Sequence, residues 1–70
     1  MAWTAIEVAT VLRHLGYELK RHGARHDIYD LAGAPRPVSV PRHRGDLPAG
    51  TVRSIWRQAN IDPREAERLK

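Results

Sequence analysis

Between Gly16 and Pro41 the chain is cut at short intervals by residues that stop regular structure. Gly16 stands at one end, Gly23 lies within, Ala32-Gly-Ala-Pro-Arg-Pro37 makes a dense break and Pro41 closes the segment. Glycine permits positive φ, whereas proline fixes φ and cannot donate to a strand ladder, so each marks a turn or an end. The intervals left between them are too short for ordinary helices. They read instead as three strands, Tyr17–Arg21, Asp27–Leu31 and Val38–Val40, with Tyr17 and Leu19 facing inward. Strands joined by so few residues pair antiparallel, because a parallel pair needs a crossover of roughly a dozen residues or more.

Helical patterns flank this segment. Thr4-Ala-Ile-Glu7 has the form of a capping box, with a hydroxyl at the N-cap and a carboxylate three residues on. Ala5, Val8, Leu12 and Leu15 recur at helical spacing, with Ala9 and Val11 beside them, and Gly16 follows where a helix stops. The spacing predicts a helix over Ala5–Leu15. Arg42 to Pro48 is a polar loop. Beyond it Val52, Ile55, Trp56 and Ala59 follow i, i+3, i+4, i+7, while Arg53, Ser54, Arg57 and Gln58 form the opposite face. Asn60 ends that helix. Asp62-Pro63-Arg64-Glu65 supplies an N-cap, a proline at the first helical position and an acid, which predicts a short third helix to about Leu69.

The order is therefore α-β-β-β-α-α, an α+β two-layer sandwich with one sheet face under helices and the other wet. No repeat or linker divides the chain, and residues 1–70 are expected to form a single domain. With no Phe, the bulky packing must come from Trp3, Tyr17, Tyr29 and Trp56. The helical register of Trp56 points it into the core, while Trp3 is open to a core or an interface role.

The formal charge of +4 is concentrated in one region. Lys20 to Arg44 holds six Lys/Arg against two Asp, and three of the four histidines, while the remainder is balanced. Such a patch suits a polyanion, most commonly nucleic acid; the blander reading is a solvated basic surface. The absence of cysteine removes disulfides, thiolate zinc sites and a Cys nucleophile. No apolar run approaches the ~18 residues that would span a bilayer. Met-Ala-Trp-Thr-Ala-Ile-Glu lacks the basic and apolar regions of a signal peptide, so a cytoplasmic protein is expected. A chain this short buries only about 60% of its unfolded surface, which places any site on the surface or in a shallow groove.

Four histidines are the candidate reactive groups. His14 falls late in the first helix, where a cation is favoured by the dipole. His22 lies at a strand-to-turn junction among cations, a solvated or phosphate-contacting position. His26 precedes the second strand between Arg25 and Asp27, and His43 sits between Arg42 and Arg44. No His-x-x-x-His pair falls on a helix and the nearby carboxylates complete no ligand set, so neither a metal nor another cofactor is expected. Ser39 and Ser54 lack the strained strand-to-helix turn of a serine nucleophile. The paired-carboxylate chemistry that Asp27 and Asp30 offer is unfavourable in so basic a field.

What remains is a histidine acting on phosphodiesters. RNA carries its own nucleophile in the 2′-OH, so cleavage without a metal needs mainly a base, an acid and cations around the phosphate. Imidazole serves as either acid or base near neutral pH, and guanidinium groups such as Arg25 and Arg42 hold phosphate and stabilise its developing charge. On the residues alone, three readings stand: an RNA-binding surface of the double-stranded type, a ribonuclease, and a basic face that docks an acidic protein.

Two stretches carry a resemblance that separates them. "VLRHLGYELKRHGARHDIY" and "VPRHRGDLPAGTVRSIWRQANI" are similar, in order and spacing, to the HicA toxins, small mRNA interferases of bacterial type II toxin-antitoxin modules. The resemblance implies that the histidine three positions before an aromatic is catalytic; here that is His26, followed by Tyr29. Arg25 stands where the family has Ser or Arg, and Ala24 where it has Gly, with Gly23 one place earlier. It further implies a double-stranded-RNA-binding-domain-like α-β-β-β-α fold, here with a short extra C-terminal helix. The implied activity is endonucleolytic cleavage of mRNA, and the implied partner is a HicB-type antitoxin that covers the active surface. Lys20, Arg21, His22, Arg25, Arg42, His43 and Arg44 would then contact the RNA backbone.

Overall fold

The computed structural model describes residues 2–70. Its elements are α1 (Ala5–His14), β1 (Glu18–His22), β2 (His26–Asp30), β3 (Val38–Pro41), α2 (Ala49–Ala59) and α3 (Pro63–Leu69). The capping box forms in both directions: the Glu7 amide donates to Thr4 Oγ1 at 3.2 Å, and the Thr4 amide donates to Glu7 Oε1 at 3.0 Å. Two orphan amides of the first turn are satisfied this way, which fixes where α1 begins. At its other end Gly16 adopts φ 98°, a left-handed value open to glycine. The Tyr17 amide then bonds back to the Leu12 carbonyl at 2.9 Å, sending the chain into the sheet. Asn60 ends α2 in the same left-handed region, at φ 57°, and Asp62 caps α3 by accepting from the Arg64 amide at 2.8 Å.

The three strands form one antiparallel sheet in the order β1-β2-β3. Each of the first two differs by one residue from the sequence expectation, because the ladder extends into the hairpin turn: His22 pairs with Asp27. A bulge between Leu19 and Arg21 absorbs the extra residue and lets the strands stay in register beyond it. His22 and His26 are therefore strand residues rather than turn residues. The same geometry corrects the expectation for Leu19. It is opposite Tyr29, on the core-facing side, yet remains 49% exposed. β1 is an edge strand and the helices pack chiefly over β3, so Leu19 is left half uncovered, whereas Tyr17 lies where the chain leaves α1 and is buried.

Strand alternation sets the two faces. Tyr29, Val38 and Val40 point into the core with Val8, Val11 and Leu12 of α1 and Val52, Ile55 and Trp56 of α2. Trp3 belongs to the core as well: its ring meets Trp56 edge-on, with centroids 5.0 Å apart and planes at 73°, a favourable quadrupolar arrangement. α3 closes the base through Ala66, and Lys70 places its ammonium 4.5 Å from the Trp3 ring centroid. The other edge of the sheet is sealed by a side chain. The Ser39 amide, facing away from β2, donates to Gln58 Oε1 of α2 at 3.2 Å. This is a double-stranded-RNA-binding-domain-like α-β-β-β-α arrangement with a short C-terminal helix added, as the sequence led one to expect.

Candidate functional site

The sheet brings the central histidine to a groove. His26 opens β2 on the face away from Tyr29, with Pro41 as its β3 partner. Ser39, Pro41, Gly50, Thr51, Ser54, Ile55 and Gln58 line the same groove, of about 400 Å³. One wall is thus the end of the sheet and the other is the first half of α2. That helix begins at Pro48 with no side-chain hydrogen bond to its first amides, so the positive end of its dipole is left open beside the histidine.

The hairpin turn that leads into His26 is unusually tight. The Gly23 amide donates to the His26 carbonyl at 2.9 Å, and a Cβ at residue 23 would stand 2.7 Å from that same oxygen. Glycine is required here by closeness of approach. The adjacent Ala24 is exposed. Of the two neighbouring positions, residue 23 is thus the one where this turn needs glycine.

Lys20, Arg21, His22, Arg25, His26, Arg42, His43 and Arg44 are all exposed, but they fall into two groups. Lys20 lies 3.6 Å from Asp30, His22 Nδ1 lies 2.7 Å from Asp27 Oδ1, and Arg42 Nε lies 3.4 Å from that same oxygen. Neither approach to Asp27 Oδ1 has the directionality of a hydrogen bond, although the atom is buried. Arg21, Arg25, His43 and Arg44 form no ion pair or side-chain hydrogen bond among the described residues, which leaves three guanidinium groups and one imidazole available to solvent or a ligand. Behind the sheet, Tyr29 has its phenol pKa raised, mainly by burial; Arg13 opposes the shift and Asp27 adds to it. No group of three His, Asp or Glu side chains lies close enough to hold a metal ion among the described residues.

Sequence reasoning missed Ser39, Thr51, Ser54 and Gln58 as neighbours of His26. Their juxtaposition depends on α2 packing along β3, and no local pattern encodes it. The sequence trace was that Thr51, Ser54 and Gln58 all fall within the stretch that resembles the HicA toxins, with Ser39 just before it.

A family model described as HicA toxin of bacterial toxin-antitoxin matches residues 6–61. The chain belongs to the HicA toxin family. The match runs from Ile6, in the first turn of α1, through Ile61 and so includes His26, the hairpin and the whole groove, leaving out residues 1–5 and the C-terminal segment that carries α3. No curated protein matches the chain. Membership makes it the toxin component of a toxin-antitoxin system, with an antitoxin as partner. No helix among the described residues is long and apolar enough to cross a membrane.

Proposed function

We propose that this HicA-family toxin is a metal-independent endoribonuclease that cleaves mRNA in the cytoplasm through His26 and is neutralised by a HicB-type antitoxin. The observation that carries the reading is the position of His26: exposed, at the head of β2, across a groove from the uncapped amide end of α2. A phosphate seated in that groove meets the helix amides and dipole on one side. Arg25 before the histidine and Arg44 after β3 supply free positive charge near the ends of β2 and β3, with Arg21 on β1 and the His43 imidazole beside Arg44. Lys20, His22 and Arg42 are exposed as well but have carboxylate partners within the chain, and His22 and Arg42 meet theirs at Asp27, on the Tyr29 side of the sheet.

The chemistry needs little from the protein. The ribose 2′-oxygen attacks the adjacent phosphorus, its proton passes to a base, and the P–O5′ bond breaks as the leaving oxygen gains a proton. The products are a 2′,3′-cyclic phosphate and a free 5′-hydroxyl. His26 transfers one of those protons, and the cations stabilise charge growing on the equatorial oxygens. An RNA with a single 2′-deoxy residue at the cleavage position is then a non-cleavable ligand.

Expression of a His26→Ala chain without antitoxin tests the proposal. Growth should continue and cellular mRNA should stay intact, while the wild type arrests growth. Arrest with RNA cleavage by the variant would end it. The double-stranded-RNA-binding-domain-like fold also favours a second reading, a non-catalytic RNA-binding module; it predicts equal RNA binding and no cleavage by either chain.

A further inference from the structure

Arg42 is the cation whose surroundings fit phosphate binding least. It follows β3 directly, and its guanidinium, though exposed, bends back over the hairpin turn. Its Nη2 donates to the Gly23 carbonyl, its Nε lies 3.4 Å from Asp27 Oδ1, and its backbone amide donates to the Arg25 carbonyl at 2.9 Å. One residue thus grips the turn on both sides of Ala24, by side chain at Gly23 and by main chain at Arg25. The Gly23 amide closes the same turn on the His26 carbonyl. Asp27, paired with Val40 in the ladder, is fixed by the sheet and aims the guanidinium, and His22 shares its oxygen from β1.

We infer that Arg42 is a positioning residue: with Asp27 it clamps the Gly23–Arg25 turn and thereby sets where His26 and Arg25 stand over the groove. The inference rests on the nuclease reading for its catalytic consequence, but the clamp itself is a property of the fold. The fork of the guanidinium is what the clamp uses, since it reaches a carbonyl and a carboxylate at once; a lysine ammonium keeps the charge and lacks that geometry. A half-exposed pair without hydrogen-bond directionality adds little to stability. Its effect is on geometry, where a displacement of about 1 Å at a reacting group lowers the rate on the order of a hundredfold.

Two measurements on full-length Arg42→Lys, Arg42→Gln and Asp27→Asn chains test it. In amide hydrogen exchange, the Gly23 and Arg42 amides should exchange about tenfold faster or more in all three variants, while the Tyr17 amide, bonded to Leu12, stays at the wild-type rate. In RNA cleavage, kcat should fall by about ten- to a hundredfold with KM within about twofold, and Arg42→Lys should not rescue it. The double variant Asp27→Asn/Arg42→Gln should be no worse than Arg42→Gln alone, because the two residues act as one unit.

Wild-type exchange and kcat in Arg42→Lys would overturn the clamp, as would exchange that rises equally at Tyr17. A rise in KM at unchanged kcat, with the salt dependence of binding reduced by about one unit of slope, would make Arg42 a phosphate ligand instead. Should the wild type cleave no RNA, the nuclease reading falls and the exchange data alone decide: faster exchange at Gly23 and Arg42 upholds the clamp, unchanged exchange overturns it.

Discussion

At the residue scale the hairpin turns on one glycine. A methyl group at residue 23 would stand 2.7 Å from the His26 carbonyl oxygen, and backbone cannot swing aside as a side-chain tip does. Gly23→Ala should therefore cost about 1–3 kcal/mol, read as a fall in thermal midpoint of several degrees for a domain this size. Ala24→Gly changes an exposed residue, and should move the midpoint by no more than about a kcal/mol's equivalent through chain entropy. Equal midpoints for wild type and Gly23→Ala would show that the turn relaxes freely. His26 itself was legible as a motif, a histidine between Arg25 and Asp27 with Tyr29 three residues on. Gly23 as the point of closest approach was not, because that approach depends on how the strands pair.

At the scale of elements, α1 shows how completely a local signal can specify structure. Thr4 and Glu7 cap it reciprocally, and Thr4→Ala should cost about 1 kcal/mol in a chemical-denaturation experiment. Glu7 adds a pH signature. Its carboxyl pKa lies below the ordinary 4.5, first because it accepts the Thr4 backbone hydrogen bond, with the Lys70 ammonium contributing. A lowered folded value means that its stabilisation is fully present above pH 4.5 and is lost as pH falls through the folded pKa. Glu7→Gln should therefore be less stable than wild type near neutrality, and the two curves should converge in acid; a gap independent of pH would refute that assignment. The helices were legible because caps and apolar spacing are local. β1 was legible as a strand but not in its detail: the bulge after Leu19 moves the pairing of His22, and edge position leaves Leu19 exposed despite its inward side. Neither follows from alternation alone. Gln58 is a similar case, a polar residue on the helix face opposite the apolar stripe that turns out to seal the β3 edge through the Ser39 amide.

At the scale of the whole molecule, the strands and helices of the described residues leave a basic surface whose unpaired arginines come from separate segments: Arg21 on β1, Arg25 in the hairpin turn and Arg44 after β3. If these meet phosphates, replacing Arg21, Arg25 and Arg44 by Ala should flatten the salt dependence of single-stranded RNA binding by about 0.7 for each phosphate no longer neutralised; an unchanged slope would place the RNA elsewhere. The composition announced this face, since the excess charge lies between Lys20 and Arg44. The far wall of the groove, from Gly50 to Gln58, was hidden because it is assembled only when α2 docks along β3. The core beneath sets an alkaline limit. Tyr17 and Tyr29 both have phenol pKa values raised, chiefly by burial. Their neutral forms favour the folded state, so their contribution is complete below pH 10 and declines above it as the unfolded chain ionises first.

The central claim is that His26 does chemistry and does not merely lie on an RNA-binding face. The most direct measurement is the single-turnover cleavage of one RNA by purified wild type and His26→Gln, each at saturating protein, with binding measured on the same RNA carrying a 2′-deoxy residue at the cut. The account predicts that the variant binds within about twofold of the wild type and cleaves about 10²- to 10⁴-fold more slowly. Cleavage by His26→Gln at the wild-type rate would contradict it, and so would binding by both proteins with cleavage by neither.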